Sequence, residues 1–432
     1  MANILKSPYK VFSVTMLFFL IYGLALQPID VLISGYIALI QAPAILITDY
    51  VLKGGFGPAL VNAALSSYMA LGMVLLFKHE MKSGTISNLW LIAGFAFFGK
   101  NPINILPIFI GGILYAKFMR QPFTNTILPI LVATSLAPAI NQTWAVTYQL
   151  TGIEATAISY LISILMGLTI GFIFAPLAAN FMKIHDGFNL YNGGLTAGII
   201  AIVIIAFFSS HGFNAEINYY WSTGYHLQMS VFIVLISLWL IFVGFYQNRN
   251  IGDCISKLKE LNKTHNDYWP TFGSVSYINM GLLGLYCITV AAILHFTMGF
   301  QLNGPILGAV ISVMGFGING KNVPSAFFLM VGVSIAALIT YNFELYHPGI
   351  GVILFFVPCL SPIPTKFGWH WGIIAGFIHL HVATSLAVPS GGINLYNNGL
   401  AAGLVVMLIL PIIRSMIALK ENLNASKALS KG

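Results

Sequence analysis

The chain has 432 residues, 58% of them hydrophobic and only 7% charged, with a mean hydropathy of +0.88. A soluble globular domain carries about 25% charged residues, so a polytopic membrane protein is expected, and continuous rather than alternating apolar runs exclude a β-barrel. The formal net charge of +8 is dispersed among short loops, where it sets topology and does not make a nucleic-acid surface.

In chain order, residues 1–53 form an N-terminal membrane anchor element. Lys6 and Lys10 precede an apolar stretch from Val11 to Gln27, the chain breaks at Pro28 and Asp30, and a second stretch runs from Val31 to Val51. The start resembles a signal peptide, but a multi-spanning chain uses such a segment as its first anchor, so it is expected to be retained. Residues 54–208 hold six apolar stretches: 57–77, 84–98, 102–119, 124–140, 155–182 and 188–208. Residues 209–270 are a linker: a loop at 209–228 without Lys or Arg, a span from Met229 to Tyr246 with no counterpart in the sequence, and a hydrophilic loop with Arg249, Lys257, Lys259 and Lys263. Residues 271–413 hold six more stretches, and a basic tail with Lys420, Lys427 and Lys431 occupies 414–432.

The two sets of six are copies. Residues 187–198, GFNLYNGGLTAG, return as GINLYNNGLAAG at 392–403, with 9 of 12 positions identical at an offset of 205. Gly99-Lys100-Asn101-Pro102 returns as Gly320-Lys321-Asn322-Val323-Pro324 at an offset of 221. Two weaker pairs align Ile127 to Ala139 with Ile353 to Thr365, and Phe56, Gly57 and Asn62 with Phe272, Gly273 and Asn279. Cytoplasmic loops carry the Lys and Arg excess, which puts the 247–270 loop and the C-terminal tail in the cytoplasm and the 209–228 loop outside. The first copy then begins outside and the second inside. The expected fold is therefore all-α and polytopic: two inverted-topology repeats of about six hydrophobic segments with broken or re-entrant helices, joined by an extra transmembrane helix. Parity lets only one of the two stretches between Val11 and Val51 cross.

The segments ahead of both GKN motifs hold only about 15 residues, where a span needs about 20. Short glycine-interrupted segments at matching places in two halves point to discontinuous helices and a midplane site. Lys100, Asn101, Lys321 and Asn322 are thus candidates to hold an anionic or carbonyl-bearing solute. The competing reading is that both lysines snorkel to a headgroup region. Asn189, Tyr191 and Asn192, with Asn394, Tyr396 and Asn397, offer uncharged donors and acceptors for a polar solute. They serve equally as helix caps, aromatic-belt residues and close-packing elements. His379 and His381 lie inside an apolar segment, where a histidine either couples protons or is hydrogen-bonded and neutral. No catalytic motif appears, and Cys254, Cys287 and Cys359 have no paired or metal-type spacing, so neither enzyme chemistry, a metal nor a cofactor is expected.

At GKNPINILPIFIGGILYA and at both YNG/YNNGL stretches the sequence resembles the urea-transporter family. That likeness implies inverted halves, a narrow central pore and a small amide-like solute. Lys100 and Lys321 stand where that family has a neutral residue. Over its full length the chain is similar to a prokaryotic membrane family built from two copies of the domain of unknown function 1576, a likeness that implies no activity. The reading is a multi-pass protein of a prokaryotic cytoplasmic (inner) membrane with a cytoplasmic C-terminus. It is a transporter or channel for a small polar solute, amide-like or a small anion, with the bilayer and the solute as partners and a homo-oligomer compatible. The alternative class is an integral-membrane enzyme or a cofactor-bearing subunit of a membrane complex.

Overall fold

The computed structural model describes residues 5, 7–42, 48–151, 157–184, 186–213, 220–264, 273–340 and 347–429. Glu216, Phe272 and Lys431 lie outside the described residues, as do the side chains of Asn192 and Lys427. Nineteen helices order the described chain. They are α1 (Pro8–Leu26), α2 (Ile29–Gln41), α3 (Tyr50–Gly54), α4 (Phe56–Leu76), α5 (Ser83–Phe95), α6 (Pro102–Phe118), α7 (Ile127–Ala133), α8 (Ala137–Thr151), α9 (Ala157–Phe181), α10 (Asn192–Ser210), α11 (His226–Gln247), α12 (Ile251–Leu261), α13 (Val275–Met298), α14 (Gly304–Gly315), α15 (Val323–Thr340), α16 (Pro348–Phe356), α17 (Pro362–Phe367), α18 (Trp369–Ser385) and α19 (Asn397–Leu429). No strand occurs among the described residues, and eight helices are long and apolar enough to cross a membrane.

Apolar helices in this chain carry little one-sided patterning, because each faces both neighbours and lipid. Their contacts are set instead by small residues that let backbones meet. The packing pairs come in matched sets: α1 on α4 and α11 on α13, α6 on α9 and α15 on α18, with α5 against α14 and α10 against α19. The match extends to single contacts. Gly111 lies against the Leu168 backbone and Gly171 against Ile108, as Gly332 lies against Ile373 and Gly376 against Leu329. The span at 229–246, which has no counterpart in the sequence, thus packs in α11 as α1 does in the first half.

Helices α5 and α14 run antiparallel: Gly94 meets Gly308, Trp90 meets Gly315, and Ser87 accepts a hydrogen bond of 2.9 Å from Asn319. Both stop short. The chain leaves α5 through a turn at 96–99 and leaves α14 through a 3-10 turn at Phe316–Asn319, and Gly99 (φ +118) and Gly320 (φ +115) then reverse it. A side chain is disfavoured in that conformation, which explains the glycine of each GKN motif. The carbonyls freed at each broken end have no intrahelical partner. Asn62 donates to Ala96 O and Lys100 O, both at 2.7 Å, and Asn279 donates to Gly317 O at 2.8 Å and Lys321 O at 2.7 Å. Exchanging Asn62 for Leu should therefore cost about 1–3 kcal/mol for each stranded carbonyl. Thermal unfolding of the purified variant checks this, and an unchanged midpoint would remove the clamp's role.

Of the N-terminal stretches, α1 has a spanning length, whereas α2 has 13 residues, buries only Leu32 and Leu39, and packs on α3 and α4. Helix α12 is amphipathic and seats Cys254 and Leu261 on Val275 and Ile278. Its Asp253–Lys257 ion pair (2.8 Å) is solvent-facing.

Candidate functional site

The two broken helices end at one place. Lys100 and Lys321 are each 0% exposed, so neither side chain snorkels to a surface. Lys321 Nζ donates to Tyr191 OH at 2.5 Å and lies 3.9 Å from the Tyr191 ring centroid and 4.9 Å from that of Phe316. Lys100 Nζ lies 5.0 Å from the Phe95 ring and has no hydrogen-bond partner; the Tyr396 ring lies 5.1 Å from that of Phe95, and its hydroxyl also lacks a partner. Tyr191 and Tyr396 touch each other at 4.9 Å between centroids, and Phe356 lies 5.8 Å from both Phe95 and Tyr191. Two lysine amines are thus enclosed in an aromatic cage. The ring faces would offset part of the cost of holding either amine protonated, and no ion pair among the described residues offsets the rest.

Asp49 is the single buried carboxylate among the described residues. It accepts from Val51 N (2.9 Å), Ser222 N (2.8 Å) and Ser222 Oγ (2.7 Å), so it ties the N-cap of α3 to the 220–222 segment rather than to a lysine. The sequence reading did not single it out.

The motif asparagines divide by role. Asn101 Oδ1 caps α6 through Ile103 N (3.0 Å) and Asn104 N (2.9 Å), and Asn322 Oδ1 accepts from Ser325 N at 2.9 Å. Both therefore orient the helix beside each lysine and have that oxygen committed to the backbone. Asn189 and Asn394 form the same local turn, accepting from Tyr191 N (2.9 Å) and Tyr396 N (3.0 Å). The Asn189 amide goes on to donate to Gly399 O at 2.9 Å, while the Asn394 amide nitrogen is unpartnered. Asn397 donates to Ala383 O at 3.0 Å and keeps an unpartnered Oδ1.

The histidines separate. His379 is buried with Nε2 3.1 Å from Asn398 Oδ1, and His381 Nε2 lies 2.8 Å from Thr340 Oγ1 on another side of α18. No group of three metal-ligating residues occurs among the described residues.

Two cavities flank the cage, one per half. The first, about 500 Å³, is lined by Thr126, Pro129, Val132, Ala178 and Leu190 of the first half and by Phe316 of the second. The other, about 300 Å³, is lined by Ile350, Ile353, Phe356, Ala383 and Leu395 and by Phe98. The five positions named from the first half correspond in order to the five named from the second once Ser135 is paired with Cys359, whereas the spacing from the GKN motifs pairs Phe316 with Phe95, the neighbour of Phe98. The Ser135 and Cys359 carbonyls accept the matching bonds from Leu395 N (3.2 Å) and Leu190 N (3.0 Å). This register is two residues away from the alignment of Ile127–Ala139 with Ile353–Thr365, because apolar residues in both stretches align about equally well either way.

No curated protein and no solved structure matches the chain, so the likeness to urea transporters rests on short motifs alone. Residues 29–210 and 247–415 each match the model of a family described as a protein of unknown function, DUF1576. The matched regions begin ahead of residues 54 and 271, where the sequence motifs alone set the repeats. With two copies of that domain covering most of its length, the chain belongs to the DUF1576 family.

Proposed function

We propose that the protein moves a small anion across a prokaryotic cytoplasmic membrane, along a path that joins the two cavities through the lysine cage. The carrying observation is that two lysines are buried without a carboxylate beside them. Keeping a lysine protonated at membrane depth without a counter-charge costs several kcal/mol, and a passing anion that arrives beside it offsets that cost where the bilayer barrier to the anion is highest. The antiparallel α5 and α14 and the matched cavities suit an inverted repeat, in which one cavity faces each side. With the basic loops in the cytoplasm, the cavity beside Lys117 and Arg120 is the cytoplasmic one, and the cavity beside His347 is the external one. This reading makes the protein a transporter and not an enzyme.

Purified protein in liposomes should take up labelled acetate or nitrate saturably and leave urea outside. Liposomes no more permeable than protein-free ones to every anion tested would overturn the proposal.

A further inference from the structure

The two halves of the cage are built alike and satisfied unequally. In one, Lys321 donates to Tyr191, and the Asn189 amide donates to Gly399 O. In the other, the counterpart atoms Lys100 Nζ, Tyr396 OH and Asn394 Nδ2 all lack partners, and the three residues are at most 4% exposed. Lys100 sits over Phe95 (5.0 Å) much as Lys321 sits over Phe316 (4.9 Å), but Lys321 also lies 3.9 Å from the Tyr191 ring centroid. Buried donors without partners are rare and costly, and three of them at equivalent points of one motif pair are not scattered packing defects. Asn394 and its neighbour Leu395 line the 300 Å³ cavity, and a side chain at Gly99, next to Lys100, would touch Leu395 at 2.9 Å. Asn394 thus opens on the cavity, while Lys100 and Tyr396 both meet Phe95, one ring behind the lining residues Phe98 (5.0 Å from it) and Phe356 (5.8 Å).

Resting on the anion-transport reading, we propose that Lys100, Tyr396 and Asn394 form the seat of a single monovalent oxyanion of carboxylate or nitrate size, entered from the cavity lined by Phe98, Ile353 and Asn397. All three groups offer hydrogens: an ammonium, a phenol and an amide N–H. Acceptor oxygens bearing negative charge satisfy them together, whereas a urea-like solute brings a single neutral oxygen and N–H groups that need acceptors of their own. At Lys321 the Tyr191 hydroxyl already takes a hydrogen from the amine, whereas Lys100 Nζ has no acceptor. The seat is thus one per chain, although the cage has two lysines.

Calorimetric titration of the detergent-purified full chain with acetate, nitrate and urea tests this independently of transport, since binding is read without a membrane. One acetate or nitrate per chain is expected and no urea. Tyr396→Phe removes only a hydroxyl, so the fold is retained, and the affinity should fall roughly tenfold or more. Lys100→Met should abolish binding. Two anions per chain, urea binding at the same seat, or wild-type affinity in Tyr396→Phe would overturn the assignment. Anion binding without liposome flux would leave the seat standing and remove the transport reading, and flux with Tyr396→Phe at wild-type affinity would do the reverse.

Discussion

Replacing Lys100 with Met is expected to lower anion flux in liposomes by one to two orders of magnitude while leaving a monodisperse protein. Met keeps most of the apolar stem, so the aromatic contacts with Phe95 survive and only the charge is lost. A charge-assisted contact in a desolvated site is worth roughly 1.5–3 kcal/mol, which sets that range. Lys321→Met should also reduce flux, since it removes the second cation of the cage and leaves Tyr191 OH without its donor. Lys117 is exposed at the last turn of α6, and Lys117→Met should change flux by less than twofold. Wild-type flux in both buried-lysine variants would sink the assignment of the cage to transport.

The second large effect is structural. A side chain at Gly94 would strike the Gly308 carbonyl, and one at Gly308 would strike the Gly94 carbonyl, where α5 and α14 cross. Both obstacles are backbone, so no rotamer change relieves them. Gly94→Leu should cost about 3 kcal/mol or more, at or beyond the upper end of ordinary overpacking, and detergent-purified protein should lose its monodisperse peak in size-exclusion chromatography. Gly72 is exposed and has nothing within 4 Å of an added Cβ, so Gly72→Leu is the matched control and should elute as wild type. Equal behaviour of the two variants would mean that the α5–α14 crossing does not hold the halves together.

Much of this architecture is legible in the sequence, for physical reasons. A glycine, a lysine and an asparagine that recur together ahead of an apolar run mark a helix that must stop, reverse and restart, and Gly99, Asn101, Gly320 and Asn322 do that work. The brevity of the two segments ahead of them is enough to show that these helices are incomplete spans. Other features leave no such trace. Phe95, Phe316 and Phe356 build the cage, yet in a chain with 32 phenylalanines an apolar ring carries no positional signal. The contact between α11 and α13 matches that between α1 and α4 through packing, with no shared residues to align. Asn62 and Asn279 were visible as a weak sequence pair, but that each clamps two carbonyls of a broken helix depends on a neighbour 34 to 42 residues away. All the motif asparagines are candidate solute contacts by sequence, and only their backbone partners divide the caps Asn101 and Asn322 from the unsatisfied Asn394.

Matched positions on the two cavities allow the central claim to be tested without knowing the solute. Ala179 and Thr384 line the first and second cavities at equivalent places, and Cys254, Cys287 and Cys359 are buried, which keeps background labelling low. Single substitutions Ala179→Cys and Thr384→Cys can be probed with a membrane-impermeant thiol reagent on intact cells and on inverted vesicles. An inverted repeat with a sealed lysine cage predicts that Thr384→Cys reacts only in cells and Ala179→Cys only in inverted vesicles. Reaction of both from the same side would contradict it.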